Sequence, residues 1–198
     1  MTQSLWDRAA REVLADTASP APTPGGGAIA PLTGAFGLGL VLMALEVTAA
    51  KSPSDALAEA QSEGRQLLDE LAAQPDRDVA AFDGFMRALG LPKATDAEKA
   101  ARQAARDAAA SHAARVPLTA AEVCLRALTF AADSRTLVQK NVYSDLLAGA
   151  DILVGSLKAA LRTVDINLPY LSDPNERSAL EQHVAQLRHA ADAVYAQF

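Results

Sequence analysis

Positive charge is in deficit in this sequence: 18 Lys plus Arg stand against 24 Asp plus Glu over 198 residues, a formal net charge of -6. No surface-wide positive field is available to hold a nucleic-acid backbone, so nucleic acid is not an expected partner. Cysteine is nearly absent. Cys124 alone cannot form an internal disulfide, and Val123 and Leu125 give it the setting of a small buried hydrophobe, which fits a reduced compartment. Met1 to Ala10 lacks a basic stretch followed by an apolar core, so no secretory signal is expected and the cytoplasm is the expected location. His112, His183 and His189 share no metal-ligand spacing with one another or with Cys124, and no metal site is assigned. Sustained period-two alternation and internal repeats are missing too, which leaves no strands.

Half of the residues are hydrophobic, and the length suits one domain spanning 1–198 with a sizeable core. Ala28 to Leu45 carries no charge over a length close to that needed to cross a bilayer. Pro31, Gly34, Gly37 and Gly39 dilute its hydrophobicity and no Lys or Arg cluster flanks it, so the expectation is a buried core helix and no membrane partner.

Capping grammar and helical periodicity predict about eight helices in an all-α, bundle-like domain. Ser4 with Asp7 reads as a first helix start, followed by a Pro/Gly-rich loop over Thr17 to Gly27 that opens into the apolar helix. Ser52-Pro53-Ser54-Asp55 starts a helix through about Leu71, and Asp76 begins another. Thr95-Asp96-Ala97-Glu98 is a capping box for a helix to about Arg115, where Pro117 ends it or starts the next. Apolar periodicity then continues over Leu118 to Ala132 and Val142 to Leu161, and Asp173-Pro174-Asn175-Glu176 starts the closing helix. The small residues Ala28, Ala30, Gly34, Ala35 and Gly39 permit close helix approach, read here as a homodimer contact or as tight packing within one subunit.

Three features could carry chemistry. Gly25, Gly26 and Gly27 leave backbone N–H groups uncovered where a helix begins, which suits an anionic or carbonyl oxygen; a turn needing unusual dihedrals explains them equally. No strand precedes them and no Gly-Lys-Ser/Thr follows, so a nucleotide phosphate loop is disfavoured. Asp78 has Phe82 and Phe85 at i+4 and i+7, so its carboxylate can face apolar surface, lose solvation and titrate near neutrality; a first-turn dipole partner is the bland alternative. Lys51 and Lys93 are cations at helix ends, and Asn141, Ser144 and Asp145 fit either a heterocycle or a helix cap.

The series Ser19 to Gly27 (S-P-A-P-T-P-G-G-G), Asp78-Val79-Ala80-Ala81-Phe82-Asp83 and Leu91-Pro92-Lys93-Ala94-Thr95-Asp96-Ala97-Glu98-Lys99 resembles, in order and spacing, the motifs of formiminotetrahydrofolate cyclodeaminase and methenyltetrahydrofolate cyclohydrolase. Val116-Pro117-Leu118, Ser144-Asp145, Ile166-Asn167-Leu168 and Asp173 extend the similarity. The resemblance implies an all-helical dimer that binds a tetrahydrofolate derivative as substrate near the subunit interface, with no tightly bound cofactor. It implies Asp78 as the proton shuttle and Lys51 as its charged neighbour. Thr23, Gly25, Gly26, Gly27, Lys93, Asn141, Ser144, Asp145 and Asn167 become the implied substrate contacts, with Lys93 meeting a folate carboxylate.

Two reactions are implied. In the cyclodeaminase, the formimino carbon is attacked by the neighbouring ring nitrogen and ammonia leaves, giving 5,10-methenyltetrahydrofolate; in the cyclohydrolase, water opens the methenyl bridge to 10-formyltetrahydrofolate. The first is the leading expectation, with the cyclohydrolase and a binding homologue without turnover as alternatives. The chain departs from the family pattern at Val138-Gln139, where Gly-Asn is usual, and at Thr163, where asparagine is common. It shows no fused formiminotransferase domain, so formimino transfer is not expected of it.

Overall fold

A computed structural model describes residues 3–198; Met1 and Thr2, the first residues of the Met1 to Ala10 stretch in which no secretory signal is expected, lie outside them. The chain is helical throughout, with no strand among the described residues. Its α-helices are α1 (Ala10–Thr17), α2 (Gly26–Lys51), α3 (Asp55–Ala72), α4 (Gln74–Leu89), α5 (Asp96–Ser134), α6 (Tyr143–Asn167) and α7 (Pro174–Tyr195), six of them of 16 residues or more. Short 3-10 turns lie at Leu5–Asp7, Lys140–Val142 and Leu168–Tyr170.

The count falls below eight mainly because Pro117 does not break a helix. It sits inside α5, which runs unbroken for 39 residues. A proline in a helix interior leaves the carbonyl four residues back without its donor, and here that carbonyl belongs to Ala113. The Asn167 side-chain amide donates to it at 2.8 Å, so the orphaned acceptor is satisfied from another helix.

The other boundaries moved for local reasons. Ser4 caps a single 3-10 turn, accepting from the Trp6 N–H at 3.2 Å, and α1 starts only at Ala10. The Asp76 carboxylate holds that turn, accepting from Ser4 Oγ at 2.5 Å and from the Leu5 N–H at 2.9 Å. α4 accordingly begins at Gln74, before Asp76, with Pro75 in its first turn. Ser54 caps α3, with Pro53 outside the helix. The capping box on Thr95 and Glu98 and the Asp173 cap of α7 occur as the sequence predicts.

α2 is the central helix. It is long and apolar enough to cross a membrane by length and composition, yet more than half of its most apolar window is covered by the other helices. Its closest neighbour is α6: a Cβ on Gly37 would lie 2.9 Å from the Gly149 carbonyl oxygen, and one on Gly149 2.5 Å from that of Gly37. Ala28, Ala30, Gly34 and Ala35 are buried within this one chain, Gly34 against Ser156 and Cys124. Packing within the subunit therefore accounts for four of the five small residues, and Gly39 alone of them faces open space. Cys124 is fully buried and burial pushes its thiol up to about 12, so it packs as an unreactive hydrophobe.

Candidate active site

The N-terminus of α2 forms the floor of a cleft of about 620 Å³. None of the glycines has positive φ, so unusual dihedrals do not explain the Gly25-Gly26-Gly27 run. Close approach does. A Cβ on Gly27 would lie 2.2 Å from Asp78 Oδ1 and 2.6 Å from its Cγ, so any side chain at position 27 would displace that carboxylate. Gly25 is the N-cap and its carbonyl accepts from Ala28 and Ile29, leaving the first-turn amides of Gly26 and Gly27 without a helical acceptor beside the cleft.

Three helices build the walls. α4 contributes Asp78, Phe82 and Phe85, which share one face because they are spaced four and three residues apart. α5 contributes only the small side chains Ala110 and Ala113, which leave room between the helices. α6 contributes Arg162, Thr163, Ile166 and Asn167, and Tyr170 follows in the 3-10 turn, its ring edge-on to Phe85 with centroids 5.7 Å apart. A cleft of this size, mostly apolar with a few polar groups, fits a small organic molecule.

Among the described residues, Asp78 is the only acid lining this cleft. Burial alone raises its carboxyl to about 6, where it both gives and takes a proton near neutrality. Asn167 reaches the cleft with its orientation fixed, because its amide is committed to Ala113 and its carbonyl oxygen is left to act as an acceptor.

The cleft gathers Thr23, Gly25, Gly26, Gly27, Asp78 and Asn167 from among the residues that the sequence singled out. The others lie elsewhere. Lys51 ends α2, 24 residues beyond Gly27 and therefore roughly 36 Å along the helix. Asn141, Ser144 and Asp145 lie at the start of α6, whereas the cleft uses its C-terminal end. Lys93 is exposed in the loop after α4. Within one subunit, then, neither Lys51 nor Lys93 is the cation of this cleft; Arg162 lines it, and no motif marks that residue. Of the two departures, Thr163 is in the cleft, with its Oγ1 3.9 Å from where a Cβ on Gly26 would stand. Val138-Gln139 is at the far end, where the Gln139 N–H donates to Thr48 Oγ1 at 3.1 Å. No cluster of three His, Cys, Asp or Glu able to hold a metal occurs among the described residues.

A desolvated carboxyl against a glycine-led helix start, walled by aromatic and alanine side chains, gives this cleft one group able to exchange a proton with a small organic ligand, the kind of site that enzymes carry. Residues 9–186 match the family model described as formiminotransferase-cyclodeaminase, and the chain belongs to that family. It is 36% identical over 179 residues to a methenyltetrahydrofolate cyclohydrolase of Methylorubrum extorquens, covering 86% of this chain and 82% of that protein. It is 30% identical to a formimidoyltransferase-cyclodeaminase of Gallus gallus over 85% of this chain, and spans only 32% of that longer protein. The crystal structure of a formiminotetrahydrofolate cyclodeaminase from Thermotoga maritima shares the fold, with a TM-score of 0.82, 23% identity, and 97% of this chain and 94% of that one covered.

Proposed function

We propose that the protein opens the one-carbon bridge of 5,10-methenyltetrahydrofolate, the cyclohydrolase reaction. The observation that carries this is Asp78, a carboxyl tuned to about 6 at the glycine-led start of α2, in a cleft wide enough for a flat heterocycle. As carboxylate, Asp78 takes one proton from the water that adds to the cationic methenyl carbon; as acid, it returns that proton to N5 as the carbon–N5 bond breaks, while the remaining hydroxyl proton is released to solvent as the carbonyl of the N10 formyl group forms. The extent and identity of the match to the Methylorubrum extorquens cyclohydrolase favour this reaction over the deaminase expected from the sequence. The Gallus gallus relative supports the second reading, in which Asp78 protonates ammonia leaving 5-formiminotetrahydrofolate.

The proposal includes a homodimer. α2 keeps an uncovered apolar stripe in which Phe36 is 62% and Met43 40% exposed, and the Trp6 ring lies 5.9 Å from that of Phe36. A second copy laid antiparallel along this stripe brings its Lys51, Asn141, Ser144 and Asp145 end toward the cleft of the first, which accounts for the separation of the sequence-predicted residues into two groups.

The test supplies purified protein with each folate and follows the methenyl chromophore. Loss of the chromophore from 5,10-methenyltetrahydrofolate supports the cyclohydrolase, its appearance from 5-formiminotetrahydrofolate supports the deaminase, and no change with either refutes both.

A further inference from the structure

We propose that Arg162 is the anion-recognition residue of the cleft, binding a carboxylate on the ligand's tail and so selecting heterocycles that carry an acidic amino acid. This rests on the folate reading above. Among the described residues Arg162 is the only cation lining the cleft, as Asp78 is its only anion. The charged residues around it on α6 are engaged with α7: Lys158 pairs with Asp192 at 2.9 Å, and Asp165 is held by Arg188. Arg162, one turn from both, has neither an ion-pair nor a hydrogen-bond partner among the described residues, and the nearest acid on its own helix is already occupied.

Its surroundings also suit a ligand. Arg162 is itself exposed and shares the cleft lining with Ile166, one turn further on and 69% exposed, and Tyr170, 58% exposed, which together offer apolar surface for an aromatic linker. A chain of net charge -6 repels an anionic ligand at long range and needs a local cation to hold it. Arg162 does not spend its charge on Asp78 either: a guanidinium in contact would pull that carboxyl down, whereas burial carries it up. An arginine fork takes a carboxylate through two parallel N–H donors, a geometry that lysine cannot reproduce.

Two arms test this. In the first, KM and kcat are measured for 5,10-methenyltetrahydrofolate and for the tetrahydropteroate analogue without glutamate, using wild type, Arg162→Gln and Arg162→Lys. The expected result is a preference of roughly tenfold in KM for the glutamate-bearing substrate that disappears in Arg162→Gln and survives in part in Arg162→Lys. An intact preference in Arg162→Gln overturns the proposal. In the second arm, p-aminobenzoylglutamate and p-aminobenzoate are titrated calorimetrically onto the same proteins, which requires no turnover. If wild type turns over neither folate, the reaction assignment fails, while weaker binding of p-aminobenzoylglutamate to Arg162→Gln still upholds the anion site. Equal binding by wild type and variant overturns it.

Discussion

Asp78 holds its proton up to about pH 6 in the folded chain, whereas its ordinary value is 3.8. The folded state therefore binds the extra proton between those two pH values, and stability contributed at this position is lost as pH rises through 6. Asp78→Asn removes the titration. We expect it to be more stable than wild type at pH 8 by on the order of 1–3 kcal/mol, with a much smaller difference at pH 4, as measured by urea unfolding at the two pH values. In activity the direction of the limb identifies the role: kcat/KM that rises through pH 6 marks Asp78 as the base that activates water, and kcat/KM that falls marks it as an acid for a leaving amine. Asp78 was legible in the sequence because its partners, Phe82 and Phe85, are one and two helical turns away. Arg162 was not, because an arginine on an amphipathic helix reads as a solvated residue until the neighbouring helices show what it faces. The glycines were legible as a run, but not as the reason Asp78 fits; that depends on a contact between positions 27 and 78.

At the scale of elements, α5 is the clearest case of tertiary structure overriding a local rule. Pro117 would be expected to end a helix, and the residue that makes its place tolerable, Asn167, is 50 positions away. The two positions should be energetically coupled. Asn167→Leu in the wild-type chain leaves the Ala113 carbonyl unpaired and should cost about 1–3 kcal/mol. In a Pro117→Ala background the restored backbone N–H at position 117 can serve that carbonyl, and the same change should cost about 1 kcal/mol less. Chemical denaturation of the four proteins of this cycle gives the coupling directly, and additive costs would contradict it. The capping box at Thr95 and the Asp173 cap were readable because their donors and acceptors lie within three residues. Ser4 misled because its turn is held by Asp76, far along the chain.

At the scale of the molecule, α2 runs from the cleft at Gly26 to Lys51, and its outer stripe stays uncovered in the single chain. If a second copy covers that stripe, Phe36→Glu should shift the protein from dimer to monomer in sedimentation and lower activity together with it. Co-expression of Asp78→Asn with a Lys51→Ala, Asp145→Ala double variant provides a finer check. Each parent is expected to be impaired, and the mixture should recover about a quarter of wild-type activity through hybrid dimers with one intact site. No recovery would mean that each subunit's cleft works alone.

The central claim is that a desolvated carboxyl at the start of α2 moves the proton in a folate one-carbon reaction. Its most direct test is the rate of methenyl chromophore loss from 5,10-methenyltetrahydrofolate at pH 7 for wild type and Asp78→Asn, with binding of the substrate measured alongside. The expected result is a rate at least about 100-fold lower in the variant with substrate binding retained. Undiminished turnover by Asp78→Asn would contradict it.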